Sequence, residues 1–272
     1  MAGQHRMPGL MARTGVIMAC REASVFVRMF LRTYLVGGCI NTRGMQNIGL
    51  SYAMDPGLRF LYASADDLQK ARKRYLKVYN THPCWTPLLV GLFFYIEQKI
   101  HKGLLPPKAL SQMKGTIAFT LSAVGDSLFG GSIYVLWSLS TMILLAAGLP
   151  WLALGWALLW MGILEAFKLY TFWKGVSEGI AFLTRLRSWN LIDWSGRIKA
   201  LNVLLLFVFW IVVWPGRMTP VSWMTGTGMV LLVACLATLF YRARDAIMIA
   251  LAALLWAVPV LVPYLEDMPL PW

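Results

Sequence analysis

The sequence predicts an all-α, polytopic membrane protein with interfacial or cytoplasmic helices at its N-terminus, a re-entrant half-span and about five transmembrane helices. Three observations carry this. Hydrophobic residues make up 58% of the 272 and charged residues only 14%, with a mean hydropathy of +0.62, which is too apolar for a soluble domain. Apolar runs long enough to cross a bilayer recur from Ile117 onward. Lys and Arg outnumber Asp and Glu by 25 to 12 and bunch between those runs, as expected of cytoplasmic loops and of surfaces that meet anionic lipid. The basic residues are not interleaved with aromatics on a soluble module, so no nucleic-acid partner is expected. Cys20, Cys39, Cys84 and Cys235 have no paired spacing, which points to small buried residues rather than a disulfide framework or a metal site.

The elements follow in order. Val16 to Cys20 resembles a lipoprotein cleavage site, but Arg13 cuts the apolar run short, so the N-terminus is read as uncleaved and cytoplasmic. From Ser24 to Leu35, Arg21, Arg28 and Arg32 share one helical face and Val27, Phe30, Leu31 and Leu35 fill much of the rest, the pattern of a helix in the membrane interface ended by Gly37-Gly38. Asn41 to Tyr62 is mostly apolar, carries Gln46 and Asn47, and is expected to break at Asp55-Pro56-Gly57. Ser64 with Asp67 resembles a capping box; Leu68, Ala71, Tyr75, Leu76 and Tyr79 then form a stripe opposite Lys70, Arg72, Lys73, Arg74 and Lys77. That basic face is either simply solvated or a docking surface for a cytoplasmic partner or anionic headgroups. Pro83 stops the helix at Asn80-Thr81-His82.

Trp85 to Ile96 is apolar, about half a span long, and ends in Glu97, which fits a re-entrant segment or a buried surface helix. The division by region is therefore 1–84 interfacial or cytoplasmic, 85–98 re-entrant, 99–116 a cytoplasmic loop with four lysines, and 117–272 transmembrane. The spans are expected at Ile117–Pro150, Trp151–Trp173, Leu201–Trp214, Val221–Tyr241 and Ala246–Tyr264. A basic loop from Lys174 to Lys199 and a turn at Arg242-Ala243-Arg244 place the N-terminus inside. Glu165 and Lys168 form an expected interfacial pair.

The first span holds the most informative stretch, Ala123 to Gly131. A carboxylate there sits beside three glycines and a hydroxyl, and an Asp in a membrane segment costs roughly 2.5–3.5 kcal/mol on insertion scales. Gly125, Gly130 and Gly131 allow the backbone to bend or to approach a ligand, which a lipid-facing helix does not need. Gly125-Asp126-Ser127-Leu128 also spells the nucleophile motif of a class of soluble esterases. A serine hydrolase needs a histidine base, and here His5, His82 and His101 all precede Ser127. No phosphate-binding loop, dinucleotide fingerprint or metal-ligand spacing is present, so no cofactor is expected.

Several motifs in register then point to a family. Met45 to Gly49, Leu58 to Tyr62, Tyr79 to Pro83, Gly91 through Glu97 and Gly125 to Phe129 together resemble the IID component of mannose-family sugar phosphotransferase systems, over about residues 27 to 150. The resemblance implies a subunit of a bacterial inner-membrane hetero-oligomer. With a IIC subunit it would carry a hexose inward, while IIA and IIB phosphocarriers perform the phosphoryl transfer, leaving no catalytic or phosphorylated residue on this chain. Carried over residue by residue, it makes Gln46, Asn47, Asn80, His82, Glu97, Asp126 and Ser127 the groups that line or support a sugar site, and amides, hydroxyls and carboxylates in an apolar cleft suit sugar hydroxyls. The chain departs from the family pattern at Arg43 and Gly44, at Phe119-Thr120, at Gln98 and at Gly130. A second reading follows from those departures: a diverged interaction or regulatory protein that keeps the fold without transport.

Overall fold

The computed structural model describes residues 22–213 and 220–239, and the regular elements among them are helices. Helix α1 covers residues 22–33 and is followed by a 3-10 turn at Val36–Cys39. Then come α2 (Asn47–Leu61), α3 (Ala65–Tyr75), α4 (Thr86–His101) and α5 (Pro107–Gly125). A π-helical segment, Asp126–Ile133, joins α5 to α6 (Tyr134–Ala146) in one 40-residue rod. Beyond it lie α7 (Pro150–Glu178), α8 (Ile180–Arg187) and α9 (Leu191–Val212). The chain divides at Val213; α10 (Pro220–Leu239) is the described part of the second unit. The expected span at Ala246–Tyr264 and the first twenty residues lie outside the described residues.

At the centre of the first unit is α4. Pro87 pre-sets its first turn, and the run from Thr86 to Phe94 is buried on every face, with Ile96 and Glu97. A helix apolar all round has to be enclosed; here α2, α5 and α7 pack around it. The approach to α7 is close because both helices present glycine. A Cβ on Gly91 would lie 2.5 Å from the Phe172 carbonyl oxygen, and one on Gly175 would lie 2.6 Å from that of Leu88. Around this seam α1 lays Phe26 edge-on against Phe94 at 5.6 Å and Phe30 against Phe172 at 5.5 Å. The interfacial pattern expected of α1 is divided in two: Met29 and Thr33 are buried, while Val27, Leu31 and Leu35 remain exposed.

Several expectations are corrected. Asp55-Pro56-Gly57 does not break α2, which continues to Leu61. Pro56 has no N–H for the carbonyl of Tyr52, four residues back, and Arg32 supplies the missing donor, its Nη1 lying 3.0 Å from that oxygen. The same guanidinium stacks on the Tyr52 ring at 4.1 Å. Ser64 caps α3 as its spacing predicts, with Oγ accepting from Asp67 N. The helix ends at Tyr75 instead of continuing to the proline, because Tyr79 pairs with Met45 in a β-bridge, and Leu76 leaves the stripe for solvent.

The expected loop at 99–116 is mostly helix. The α4 helix reaches His101, and α5 starts at Pro107, whose ring suits a first-turn position. Lys114, read as a loop cation, is buried and donates to the Arg74 and Lys77 carbonyls at 3.1 and 3.2 Å, closing the C-terminal end of α3. The expected loop from Lys174 to Lys199 is helical too. There Lys174 and Arg185 both meet Glu178 across the α7 to α8 turn at Gly179. Of the cysteines, Cys84 is buried, but Cys39 and Cys235 are exposed.

Among the described residues, three helices are long and apolar enough to cross a membrane: the rod Pro107–Ala146, Pro150–Glu178 and Leu191–Val212. The first two form a hairpin through the Gly148 turn, and α9 packs along α6 and the π segment.

Candidate functional site

The π segment is the organising feature of the site. Widening the helix leaves carbonyls without their usual partners, and small side chains replace them. The Ser127 carbonyl accepts from Ser132 Oγ at 2.7 Å and from Ser195 Oγ of α9 at 2.9 Å. The two serine hydroxyls lie 2.8 Å apart, and Ser127 Oγ is 2.9 Å from Ser195 Oγ. Asn202 donates to the Ser132 carbonyl at 2.9 Å, while its own Oδ1 is buried with no partner. At the outer end of this chain, Lys199 Nζ donates to Ser127 Oγ at 3.0 Å. Asp126 stands next to Ser127, exposed and with no side-chain hydrogen bond among the described residues.

Against the inner side of this junction lies His82, buried and stacked on Phe129 with ring centroids 5.3 Å apart. Gly125 makes the approach possible, since a Cβ there would be 2.4 Å from His82 Cβ. His82 Nδ1 accepts from Cys84 N at 3.3 Å, so that nitrogen is unprotonated and the neutral ring carries its proton on Nε2. Burial holds the imidazole below its usual value of 6.5, with Asp126 pulling the other way and Lys168 adding to the lowering. Tyr134 lies tilted against the same imidazole, Trp85 and Phe167 pack on Phe129, and Trp85 Nε1 is buried without a partner among the described residues.

The other residues singled out by sequence fall into two separate groups. Gln46 Oε1 accepts from Thr81 N at 3.2 Å, and Asn47 bridges Asn41 Nδ2 to the Leu76 carbonyl at 3.0 and 2.6 Å. These amides stitch the entry of α2 to the strand-like segment after α3. Half-buried Asn80 lies beside that stitch with no side-chain hydrogen bond among the described residues.

Glu97 is fully buried inside the helical core. Arg74 grips both its oxygens, at 2.9 and 2.6 Å, and the Tyr62 and Tyr75 hydroxyls donate at 2.8 and 3.0 Å. This carboxylate is saturated. Burial, with the Glu97 charge next, pushes the Tyr62 phenol up to about 12 and Tyr75 well above its usual value, so both remain donors.

The structure thus brings His82, Asp126 and Ser127 together and leaves Gln46, Asn47 and Glu97 in supporting places. Sequence reasoning missed Ser132, Ser195, Lys199 and Asn202. A signal existed: Asn202 is a lone amide in an otherwise apolar run, and Ser195-Gly196 is a small-residue pair opposite Gly130-Gly131. The 350 Å³ cavity beside the junction is no sugar site, being walled by Leu128, Phe129, Trp137, Trp160, Leu164, Phe167 and other apolar groups.

Fold and site together define a helical membrane protein built on an apolar hairpin whose first span is widened into a π turn at a Gly-Asp-Ser motif. A sequence model of the PTS system mannose/fructose/sorbose family IID component matches residues 22–255, and the chain belongs to that family. It is similar to the fructose permease IID component of Bacillus subtilis, 30% identical over 154 residues, or 56% of this chain and 54% of that protein. It is likewise similar to the mannose-specific EIID component of Escherichia coli K12, 30% identical over 107 residues, or 39% and 38% of the two chains. The matched region thus spans about half or less of these relatives. Two solved structures share the fold. One, described as a membrane protein, has a TM-score of 0.68 at 21% identity over 87% of this chain and 96% of that chain. The other, the mannose transporter ManYZ with microcin E492, has a TM-score of 0.51 at 19% identity over 90% and 97%.

Proposed function

We propose that this chain is the IID-type permease subunit of a mannose-family phosphotransferase complex in a bacterial inner membrane. In this reading it pairs with a IIC subunit to bind and translocate a hexose, which IIA and IIB phosphorylate. The observation that carries the reading is the Gly-Asp-Ser motif on a π turn within the first candidate span, where Asp126 is exposed and Ser127 is half-buried beside it. A carboxylate placed so, with no side-chain hydrogen bond among the described residues, calls for a hydroxyl-bearing ligand or a second subunit. Asp126, Ser127, His82 and Asn80 line the sugar site; Gln46, Asn47 and Glu97 hold the helices that carry them.

The N-terminus lies on the cytoplasmic side, where exposed Lys73 and Lys77 meet anionic headgroups. The protein sheath around α4 is what would let so short a helix enter the membrane as a re-entrant segment. The test is co-purification of the tagged chain with the IIC protein encoded beside it, together with uptake in cells lacking each partner in turn. A stable complex, and sugar entry that needs IIC, IIA and IIB, is the expected result. Entry indifferent to the IIC partner would remove the reading.

A further inference from the structure

The outer end of the serine chain carries a cation that no carboxylate among the described residues neutralises. Lys199 Nζ uses one of its three protons on Ser127 Oγ. Its aliphatic stem passes Gly131, with Cε 3.4 Å from where a Cβ would sit, so the exposed ammonium is tethered at the π turn. No carboxylate among the described residues lies within ion-pair distance of it, although Asp126 adjoins its hydrogen-bond partner. An acidic and a basic side chain thus flank one serine, and neither is paired with the other. Counting at 1.5 Å per residue, roughly 30 Å of helix separates them from the Gly148 turn, one hydrocarbon thickness. Burial of these exposed groups by a partner or ligand would make an unpaired ammonium costly.

A neutral sugar would offer hydroxyls to Asp126 and leave Lys199 without a counter-charge. A sugar bearing a carboxylate satisfies both: its hydroxyls donate to Asp126, and its carboxylate accepts charge-assisted bonds from Lys199. We propose that Lys199, with Asp126 and Ser127, forms a subsite for an acidic sugar of the uronic or aldonic type. This rests on the permease reading and names its substrate class.

The test is uptake of a labelled hexuronate, a labelled aldonate and a labelled neutral hexose in cells carrying the chain with its IIC, IIA and IIB partners. Wild type is compared with Lys199→Met and Lys199→Arg at equal membrane abundance. The acidic sugar is expected to enter in preference to the neutral one. Lys199→Met should lower the ratio of acidic to neutral uptake by about tenfold or more, the scale of one lost charge-assisted bond, and Lys199→Arg should keep most of it. Preference for the neutral hexose, with a ratio indifferent to Lys199→Met, overturns the acidic-sugar subsite and leaves the permease reading standing. Entry of no sugar at all overturns both.

Discussion

At the scale of single residues, the carboxylates that look alike in sequence have opposite fates. Glu97 has four donors and no exposure, whereas Asp126 is exposed and has no side-chain donor among the described residues. Removing one partner of a buried pair strands the other charge, so Arg74→Met should cost roughly 3–5 kcal/mol, read as a fall in the unfolding midpoint of the purified protein. Asp126→Asn should leave that midpoint nearly unmoved. His82 provides a pH test. Its folded pKa lies below 6.5, so between that value and 6.5 the unfolded chain binds more protons than the folded one. Its contribution is complete above 6.5 and is lost as the pH falls through that window. Unfolding midpoints at about pH 7.5 and about pH 5.5 should therefore draw together in His82→Gln. An unaltered acid drop would show that the imidazole is not what titrates.

Among the elements, α2 and the α4 to α7 seam show how local rules are overridden and at what cost. Pro56 was expected to end a helix; it survives because Arg32 adopts the orphaned Tyr52 carbonyl. Arg32→Met should destabilise by about 0.5–1.5 kcal/mol, the net range for one hydrogen bond that water can replace, and by less in a Pro56→Ala background where the helix restores its own bond. A double-mutant cycle reads that coupling directly, and additive losses would refute it. Gly91→Val should be worse than any surface change, because the added carbons meet the Phe172 carbonyl rather than a movable side chain. Helix boundaries after His101 and after Trp173 were hard to see in sequence for one reason. Lysines there read as loop charges, yet Lys114 and Lys174 spend those charges on backbone carbonyls and on Glu178.

For the whole molecule, the helical class and the first three long apolar helices were legible because hydrophobic length is a property of sequence alone. The Gly-Asp-Ser stretch was legible as a candidate site because polar groups in such a run stand out. Its partners were not, since Ser195, Lys199 and Asn202 reach it only once α9 folds back along the π turn, some 70 residues away in sequence. The saturation of Glu97 was not legible either, because it depends on Arg74 and two tyrosines outside its own helix. The topology yields a labelling experiment. Single cysteines at Lys73 and Gly148, in a background freed of native cysteine, should react with impermeant maleimide from opposite sides of the membrane, Lys73→Cys from the cytoplasm. Labelling of both from one side would contradict the hairpin as a membrane span.

The central claim is that the outward-facing carboxylate of the π turn serves sugar entry. The most direct measurement is uptake and phosphorylation of a panel of labelled sugars, neutral and acidic, in cells carrying the chain with its IIC, IIA and IIB partners. Wild type is set against Asp126→Ala at equal membrane abundance. Entry of one sugar in the wild type, lost in Asp126→Ala while the complex with IIC persists, is the result this account expects. Full uptake in Asp126→Ala, or no uptake of any sugar by a wild-type chain in stable complex with IIC, would contradict it.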